Sequence, residues 1–419
     1  MLGAGAAGLM AGIAAGRAGR PAVILDGARV LGAKILVSGG GRCNVTHDVV
    51  DERAYAGSTP AAIRRVLRQF DVERTVTFFA ELGVELKREE TGKLFPVTDR
   101  ADTVLDALLR AAHDAGCEVR PLHRVQAIER AGEGYRLSGP FGEIEARTLV
   151  LATGGRSLPK SGSDGAGIEL ARALGHTVTP RLLPALVGLV LAPDSVIRGL
   201  SGISAPVRLE LQGGTGRRLA VLEGSLLCTH FGVSGPAAMD MSRHWQQAHL
   251  DDPEARLVVS WLPEERPESL DAALQGLRAE SPLGYLDGRL PSRLARALCE
   301  AAGVDPSTRG HVLSREQRRA LVRTVLEFPL PVTGTRGWNH AEATAGGIPL
   351  AEVHLDTMES RVAPGLFLCG EMLDVDGRIG GYNFQWAWSS GHVAGGGAAA
   401  VQPRPPGEAA DREGPGVRR

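Results

Sequence analysis

Met1-Leu-Gly-Ala-Gly-Ala-Ala-Gly8 opens the chain, and the reading of the fold starts from its glycines. Gly3, Gly5 and Gly8 form G-x-G-x-x-G ahead of an apolar stretch, Leu9 to Ala15, that can be helical. In such a turn the first glycine permits a tight reversal and the second lets backbone amides approach a pyrophosphate. The third lets the helix pack on its strand. Gly and Ala are abundant, so the motif acquires meaning only from a strand before it and an acidic residue about 20 positions on. Ala22-Val-Ile-Leu-Asp26 meets the second condition as a buried strand ending in Asp26, placed to accept hydrogen bonds from a ribose. Ahead of Gly3 stand only Met1 and Leu2, where a strand of about five residues is expected. The expectation is that a few apolar residues precede Met1 in the natural protein or, failing that, that the chain as written folds poorly or holds its dinucleotide weakly.

The 419 residues suffice for two or three domains, and a formal net charge of −1 points to no nucleic-acid or anionic-membrane partner. Four of the 47 basic residues are Lys (Lys34, Lys87, Lys93, Lys160) and the rest Arg, a skew that codon bias explains. The five cysteines, Cys43, Cys117, Cys228, Cys299 and Cys369, lie far apart without a C-x-x-C pair. That pattern argues against a metal site or disulfide framework and fits a reducing cytoplasm. The apolar start lacks the basic flank of a signal peptide, and no charge-free stretch reaches the roughly 18 residues of a membrane span.

Downstream, helical spacing and caps predict helices over 6–19, 58–70, 71–83 and 99–115, and a hairpin joins 84–88 to 93–97. Cys117–Arg120 reads as a parallel strand, 124–147 as a β-meander, and Thr148–Gly155 as a buried strand ending in a glycine turn. Gly32 to Thr46 is too glycine-rich for regular structure; its Lys34, Arg42 and Asn44 put charge and hydrogen bonding beside exposed amides. From about Pro180 the pattern shifts to short antiparallel strands, then to Arg/Glu-rich helices over 264–327. The domains predicted are therefore 1–180 with 336–401, and an insert over 181–335 with strands at about 181–262; 402–419 reads as a disordered tail. Leu366–Cys369 followed by Gly370-Glu371 is a further strand ending on a glycine and an acid. Gly380-Gly381 precedes a helix that places Phe384, Trp388 and Gly391 at helical spacing.

Three strand-end glycine sites, Gly3–Gly8, Thr153–Gly155 and Gly370–Glu371, resemble those of flavoproteins with one FAD-binding Rossmann-like domain. Closer still, Lys34-Ile-Leu-Val-Ser-Gly-Gly-Gly-Arg-Cys-Asn44, Leu94-Phe-Pro96, Thr229-His-Phe-Gly-Val-Ser-Gly-Pro236, Thr357-Met-Glu-Ser360 and Gly380-Gly-Tyr-Asn-Phe-Gln-Trp-Ala387 resemble the YhiN/BaiN-like family of FAD-dependent oxidoreductases. The resemblance spans residues 2 to about 397. It implies an α/β Rossmann-like FAD domain, its first strand truncated here, with a β-barrel-like plus helical insert. It also implies that Gly3, Gly5, Ala6, Ala7 and Gly8 hold the pyrophosphate, Asp26 the ribose, and Val125 the adenine. Thr153 and Gly154 lie near the cofactor and Gly370 and Glu371 near its ribityl–phosphate region; one class of members reduces conjugated double bonds in oxidised bile acids.

Further roles follow as expectations. Arg42 offers charge to phosphate or to the flavin N1–C2=O region, or else forms a structural salt bridge. Asn44 and Asn383 offer hydrogen bonds to the isoalloxazine edge, with Lys34 and Tyr382 nearby in the same motifs, and Gly380 and Gly381 let a helix N-terminus approach the pyrimidine end. For catalysis the candidates are His230 and Arg378; Cys43 reads as an apolar filler rather than a redox thiol. No second G-x-G-x-x-G lies on its own βαβ unit, so reducing equivalents are expected from NAD(P)H visiting transiently. The expected function is hydride transfer through FAD to or from a small, largely apolar substrate, with an activated C=C as the specific guess. The rival is a flavin-binding sensor or partner-binding protein.

Overall fold

The computed structural model describes residues 1–401; the tail 402–419 lies outside the described residues. Helix α1 (Ala6–Arg17) starts directly on Gly5, and strand β1 (Val23–Leu25) returns beside it. β1 pairs in parallel with β2 (Glu118–Arg120), and β3 (Leu149–Leu151) pairs in parallel with β4 (Leu366–Leu368). Leu2 joins these two pairs, bridging in parallel to Leu25 on one side and Leu151 on the other. Leu2 N–H donates to Val150 O, Gly3 N–H to Leu25 O and Ala152 N–H to Leu2 O, each at 2.8 Å. Met1 to Gly3 thus occupy the sheet position of the expected longer strand, and at this level the flanking strands keep backbone partners. The buried Met1 ammonium donates to Val23 O at 2.7 Å, and burial pushes its pKa down to about 6.

The hairpin and the meander form as expected. Leu86–Arg88 pairs with Lys93–Pro96, which also pairs with Thr46–His47 and so ties down the exit of the glycine-rich loop. Strands 127–131, 134–139 and 142–146 make the meander between β2 and β3. The loop itself is more regular than its glycine content suggested. Ala33–Val37 forms a short helix and Ser38–Gly40 a 3₁₀ turn, and Gly39 and Gly40 within that turn and Gly41 after it have φ 55°, 70° and 85°. Three successive left-handed residues explain why three glycines stand together.

Within 181–335 the chain forms one seven-stranded antiparallel sheet. Its two outermost strands are Phe328–Leu330, paired with Arg256–Ser260, and Val332–Thr335, paired with Leu189–Leu191. Pro331 alone separates them, so one extended segment serves both edges and curls the sheet into a barrel. Proline suits the seam because it has no N–H to leave unpaired, and its carbonyl accepts from Ala192 N–H at 2.9 Å. Four helices, Pro267–Gly276, Pro282–Asp287, Ser292–Ala301 and Arg315–Leu326, share the barrel's apolar core. The expected order of strands then helices is incomplete, since 328–335 returns to the sheet after the helices. These pairings support the proposal that 181–335 is one inserted domain. Its helix α2 (Gly235–Asp251) lies against the first domain, where Asp240 Oδ1 accepts from Ile379 N–H at 2.8 Å.

Helix α3 (Tyr382–Ala400) lies across α1. A Cβ on Gly391 would stand 2.4 Å from Ala7 O, and one on Gly395 would stand 2.2 Å from Ala11 O. The two helices therefore touch backbone to backbone at i, i+4 positions of both, a contact that side chains larger than hydrogen exclude.

Candidate functional site

A cavity of about 730 Å³ runs over the C-terminal ends of β1, β3 and β4, where ligands of open parallel sheets bind. Gly3, Gly5, Ala6, Ala7, Asp26, Val125, Thr153, Gly154, Gly370 and Glu371 all line it, as do Lys34, Arg42, Asn44, Gly380, Gly381 and Asn383. Gly8 lies behind the wall, where its Cβ would meet Gly3 O at 1.8 Å. Tyr382 also turns away from the cavity and stacks on His47 with ring centroids 4.9 Å apart.

The residues present fit FAD. Gly3 is left-handed (φ 99°) and pressed against Ala152, whereas Gly5 has ordinary φ and open space where a Cβ would be, on the cavity side of the α1 N-terminus. α1 has no acidic residue in its first turn, so its free amides and partial positive charge face the place of a pyrophosphate. Asp26 closes the loop by accepting from Ala4 N–H and Ala28 N–H, both at 2.7 Å. Two lining atoms, Asn44 Oδ1 and Ser163 Oγ, are buried without a hydrogen-bond partner. Buried polar atoms rarely stay unpaired, and among the described residues both belong to side chains of the cavity wall. A second helix N-terminus, that of α3, opens on the same cavity through Gly380 (φ 126°) and Gly381 (φ 95°). A Cβ on Gly381 would strike the Thr46 backbone at 2.6 Å.

Most charges lining the cavity are already neutralised by protein. Glu371 pairs with Lys34 Nζ at 2.5 Å and accepts from Ser157 and Thr344 hydroxyls at 2.6 and 2.8 Å. Arg42 pairs with Glu89 at 2.7 Å and lies 4.0 Å from the Phe95 ring centroid, so the salt-bridge alternative describes its contacts. Arg124 pairs with Asp164 at 2.6 Å. Asn383 Oδ1 accepts from Gly377 N–H and Asn383 Nδ2 donates to Gly377 O, both at 2.9 Å, leaving Asn44 as the predicted asparagine with free capacity among the described residues.

Of the two catalytic candidates, Arg378 is exposed and lines the cavity, while His230 is exposed on the turn after Thr229 and does not reach it. His230 instead offers its carbonyl to Arg198 Nε at 2.9 Å and its ring edge-on to Phe231. Cys43 is fully buried, and burial pushes its thiol up to about 12, in keeping with an inert filler. Three charged or titratable side chains of the cavity wall escaped the sequence reading. Lys93 lines the cavity from the hairpin, and Glu342 and His340 line it from the segment that re-enters after the barrel. Lys93 could have been noticed beside Leu94-Phe-Pro96; no local pattern marks Glu342. Asp240 stands behind Ile379, and burial pushes its carboxyl up to about 6 against the charges of Arg378 and Lys93.

The HI0933-like protein Rossmann domain family matches residues 1–397. The 3-dehydro-bile acid delta(4,6)-reductase of Clostridium scindens is 34% identical over 405 residues, covering 95% of this chain and 98% of the relative. A ribosomal RNA dihydrouridine synthase of Escherichia coli is 32% identical over 394 residues, covering 93% of this chain and 95% of that protein. Among solved structures, 3-ketosteroid delta1-dehydrogenase from Sterolibacterium denitrificans has a TM-score of 0.52 at 13% identity, over 96% of this chain and 99% of that one. That last likeness is one of fold.

Proposed function

Because the chain belongs to the HI0933-like family of FAD-dependent oxidoreductases, we propose that it reduces a C=C bond conjugated to a carbonyl in a small, largely apolar substrate. The observation that carries this reading is the composition of the cavity end beside Gly380 and Gly381. There Leu186 and Ile379 share an apolar cluster, Arg378 directly precedes Ile379, and Lys93 Cε would lie 3.6 Å from a Cβ on Gly380. An apolar body with one carbonyl oxygen suits that pairing: the walls take up the body, and a cation accepts charge that builds on the oxygen. Bound FAD supplies the hydride. The amides of Gly5 to Ala7 hold its pyrophosphate, Asp26 its ribose, and Asn44 and the α3 N-terminus its pyrimidine edge. NAD(P)H is the proposed electron donor, reaching the cofactor transiently, and the cytoplasm the proposed location. Among the described residues no helix is long and apolar enough to cross a membrane.

The similarity to a dihydrouridine synthase favours one second reading, since a uracil ring also carries a C=C conjugated to a carbonyl. Anaerobic mixing separates the alternatives. The FAD-loaded protein should bleach with NADH or NADPH and regain its colour with a steroid 4-en-3-one. Recovery with uridine-containing RNA alone would move the assignment to the nucleic-acid substrate, and recovery with neither would leave a flavin-binding protein without this turnover.

A further inference from the structure

Five carboxylates line the cavity: Asp26, Glu89, Asp164, Glu342 and Glu371. Asp26 is held by two backbone amides, Glu89 by Arg42, Asp164 by Arg124, and Glu371 by Lys34. The carboxylate of Glu342 has no hydrogen bond or ion pair among the described residues; only its backbone is engaged, Glu342 N–H with Leu186 O and Glu342 O with Ser157 Oγ. The lining cations divide the same way. Lys34, Arg42 and Arg124 are paired, while the side chains of Lys93 and Arg378 have no such partner among the described residues. The three charges left free share the cavity end next to Gly380 and Gly381, where α2 of the insert meets the first domain. Glu342 and Arg378 are exposed, so water solvates the charges the fold leaves unmatched, and a ligand that takes the water's place meets them with their bonding capacity intact.

We propose that Glu342 is the acid that delivers a proton to the substrate, with Lys93 and Arg378 holding the substrate's carbonyl oxygen. This rests on the reduction proposed above. In that reaction the β-carbon of the enone takes a hydride supplied by reduced FAD, the C=C π pair moves toward oxygen, and the resulting enolate oxygen faces Lys93 and Arg378. The C=O re-forms as the α-carbon takes the proton from the Glu342 carboxyl, which is left as carboxylate and regains a proton from solvent through the cavity mouth. The two electrons come from a donor of the nicotinamide class.

The surroundings favour the protonated form of this acid. Glu342 is accessible toward the cavity, yet protein encloses it closely enough that burial pushes its pKa up. Asp240, on α2, adds to that rise by like-charge repulsion, and Lys93, on the hairpin strand, opposes it. Arg378 and His340 also line the cavity, and His244 on α2 and Tyr382 of α3 lie close enough to Arg378 to feel its charge. Two acids share the region with unlike surroundings, because Asp240 is tied to Ile379 N–H and Glu342 is free to meet a ligand.

The test uses the FAD-loaded full chain, reduced anaerobically and mixed with a steroid 4-en-3-one. Wild-type reoxidation should slow as pH rises through the Glu342 pKa. Glu342→Gln should slow it by about 100- to 10,000-fold and abolish that pH dependence, and Glu342→Asp should restore part of both. Since the carboxylate makes no internal bond, the Gln variant should keep wild-type FAD affinity and thermal midpoint. A readout independent of turnover is the infrared absorption of protonated carboxyls in the apoprotein, followed through a pH titration, from which Glu342→Gln should remove one titrating component while leaving those of Asp240 and Asp376. Wild-type reoxidation matched in rate and pH profile by Glu342→Gln, or an infrared titration unchanged by the substitution, would overturn the assignment of Glu342 alone. A wild-type protein that no enone reoxidises would overturn the underlying reaction, and the acid with it.

Discussion

Gly3, Gly5 and Gly8 belong to one motif but answer to different demands. A side chain at Gly3 would meet Ala152 O at 2.3 Å in a left-handed backbone, and one at Gly8 would meet Gly3 O at 1.8 Å, so both serve the packing of α1 on the sheet. At Gly5 φ is −86° and nothing lies within 4 Å, so only a ligand would feel an added methyl. Gly5→Ala should therefore leave the apoprotein within roughly 0.5 kcal/mol of wild type. The poorer helix cap costs about as much as the less flexible unfolded chain returns. The same variant should weaken FAD binding at least about tenfold, or about 1.4 kcal/mol, by crowding the pyrophosphate. Fluorescence titration of apoprotein with FAD, beside a denaturant curve, measures both; wild-type affinity in Gly5→Ala would remove the pyrophosphate from this turn. Gly8→Ala should instead fail in the denaturant curve.

At the scale of elements, what was legible in the sequence was what local chemistry dictates. The strands at 23–25 and 149–151, the meander, the hairpin and the Gly-Gly start of α3 are each fixed by short-range alternation or by a positive φ. The barrel seam at Pro331 was not legible, because it depends on pairing with strands about 70 and 140 residues earlier. Nor were the partners of the candidate site residues. Glu371 finds Lys34 across 337 positions, and this pairing distinguishes a satisfied charge from the free one at Glu342. The α1–α3 contact lies between these cases, since Gly391 was visible at helical spacing but its neighbour in space was not. Gly395→Ala should force α3 away from Ala11 O and cost about 1–3 kcal/mol. One residue on, a Cβ at Gly396 meets nothing within 4 Å, so Gly396→Ala should stabilise by about 0.5–1 kcal/mol through helix propensity alone. Thermal unfolding of the two variants decides it, and shifts of the same sign would refute backbone contact as the reason for the glycines.

At the scale of the whole molecule, the insert is fastened to the first domain through α2, where Arg243 Nε lies 3.3 Å from Asp376 Oδ2. Asp376 is 3% exposed, and Asp376 Oδ1 and Arg243 Nη1 are both buried without a hydrogen-bond partner. Burial pushes the Asp376 carboxyl up to about 6; Arg243 opposes the rise, while Asp374 and Glu371 add to it. Desolvation therefore outweighs the ion pair at this junction. An unfolded Asp titrates near about 4, so between about pH 4 and about pH 6 the folded chain binds this proton more tightly than the unfolded chain does. The contribution is present in full below about pH 4 and is lost as pH rises through about 6, amounting to roughly 2–3 kcal/mol. Asp376→Asn cannot titrate there and leaves Arg243 unmatched at every pH, a cost constant across the window. Denaturant unfolding of both proteins from about pH 4 to about pH 7 should then show the stability of wild type minus that of Asp376→Asn falling as pH rises. A difference that stays level, or grows in favour of wild type, would mean that the Arg243 pairing outweighs burial and that the junction is held by charge rather than strained by it.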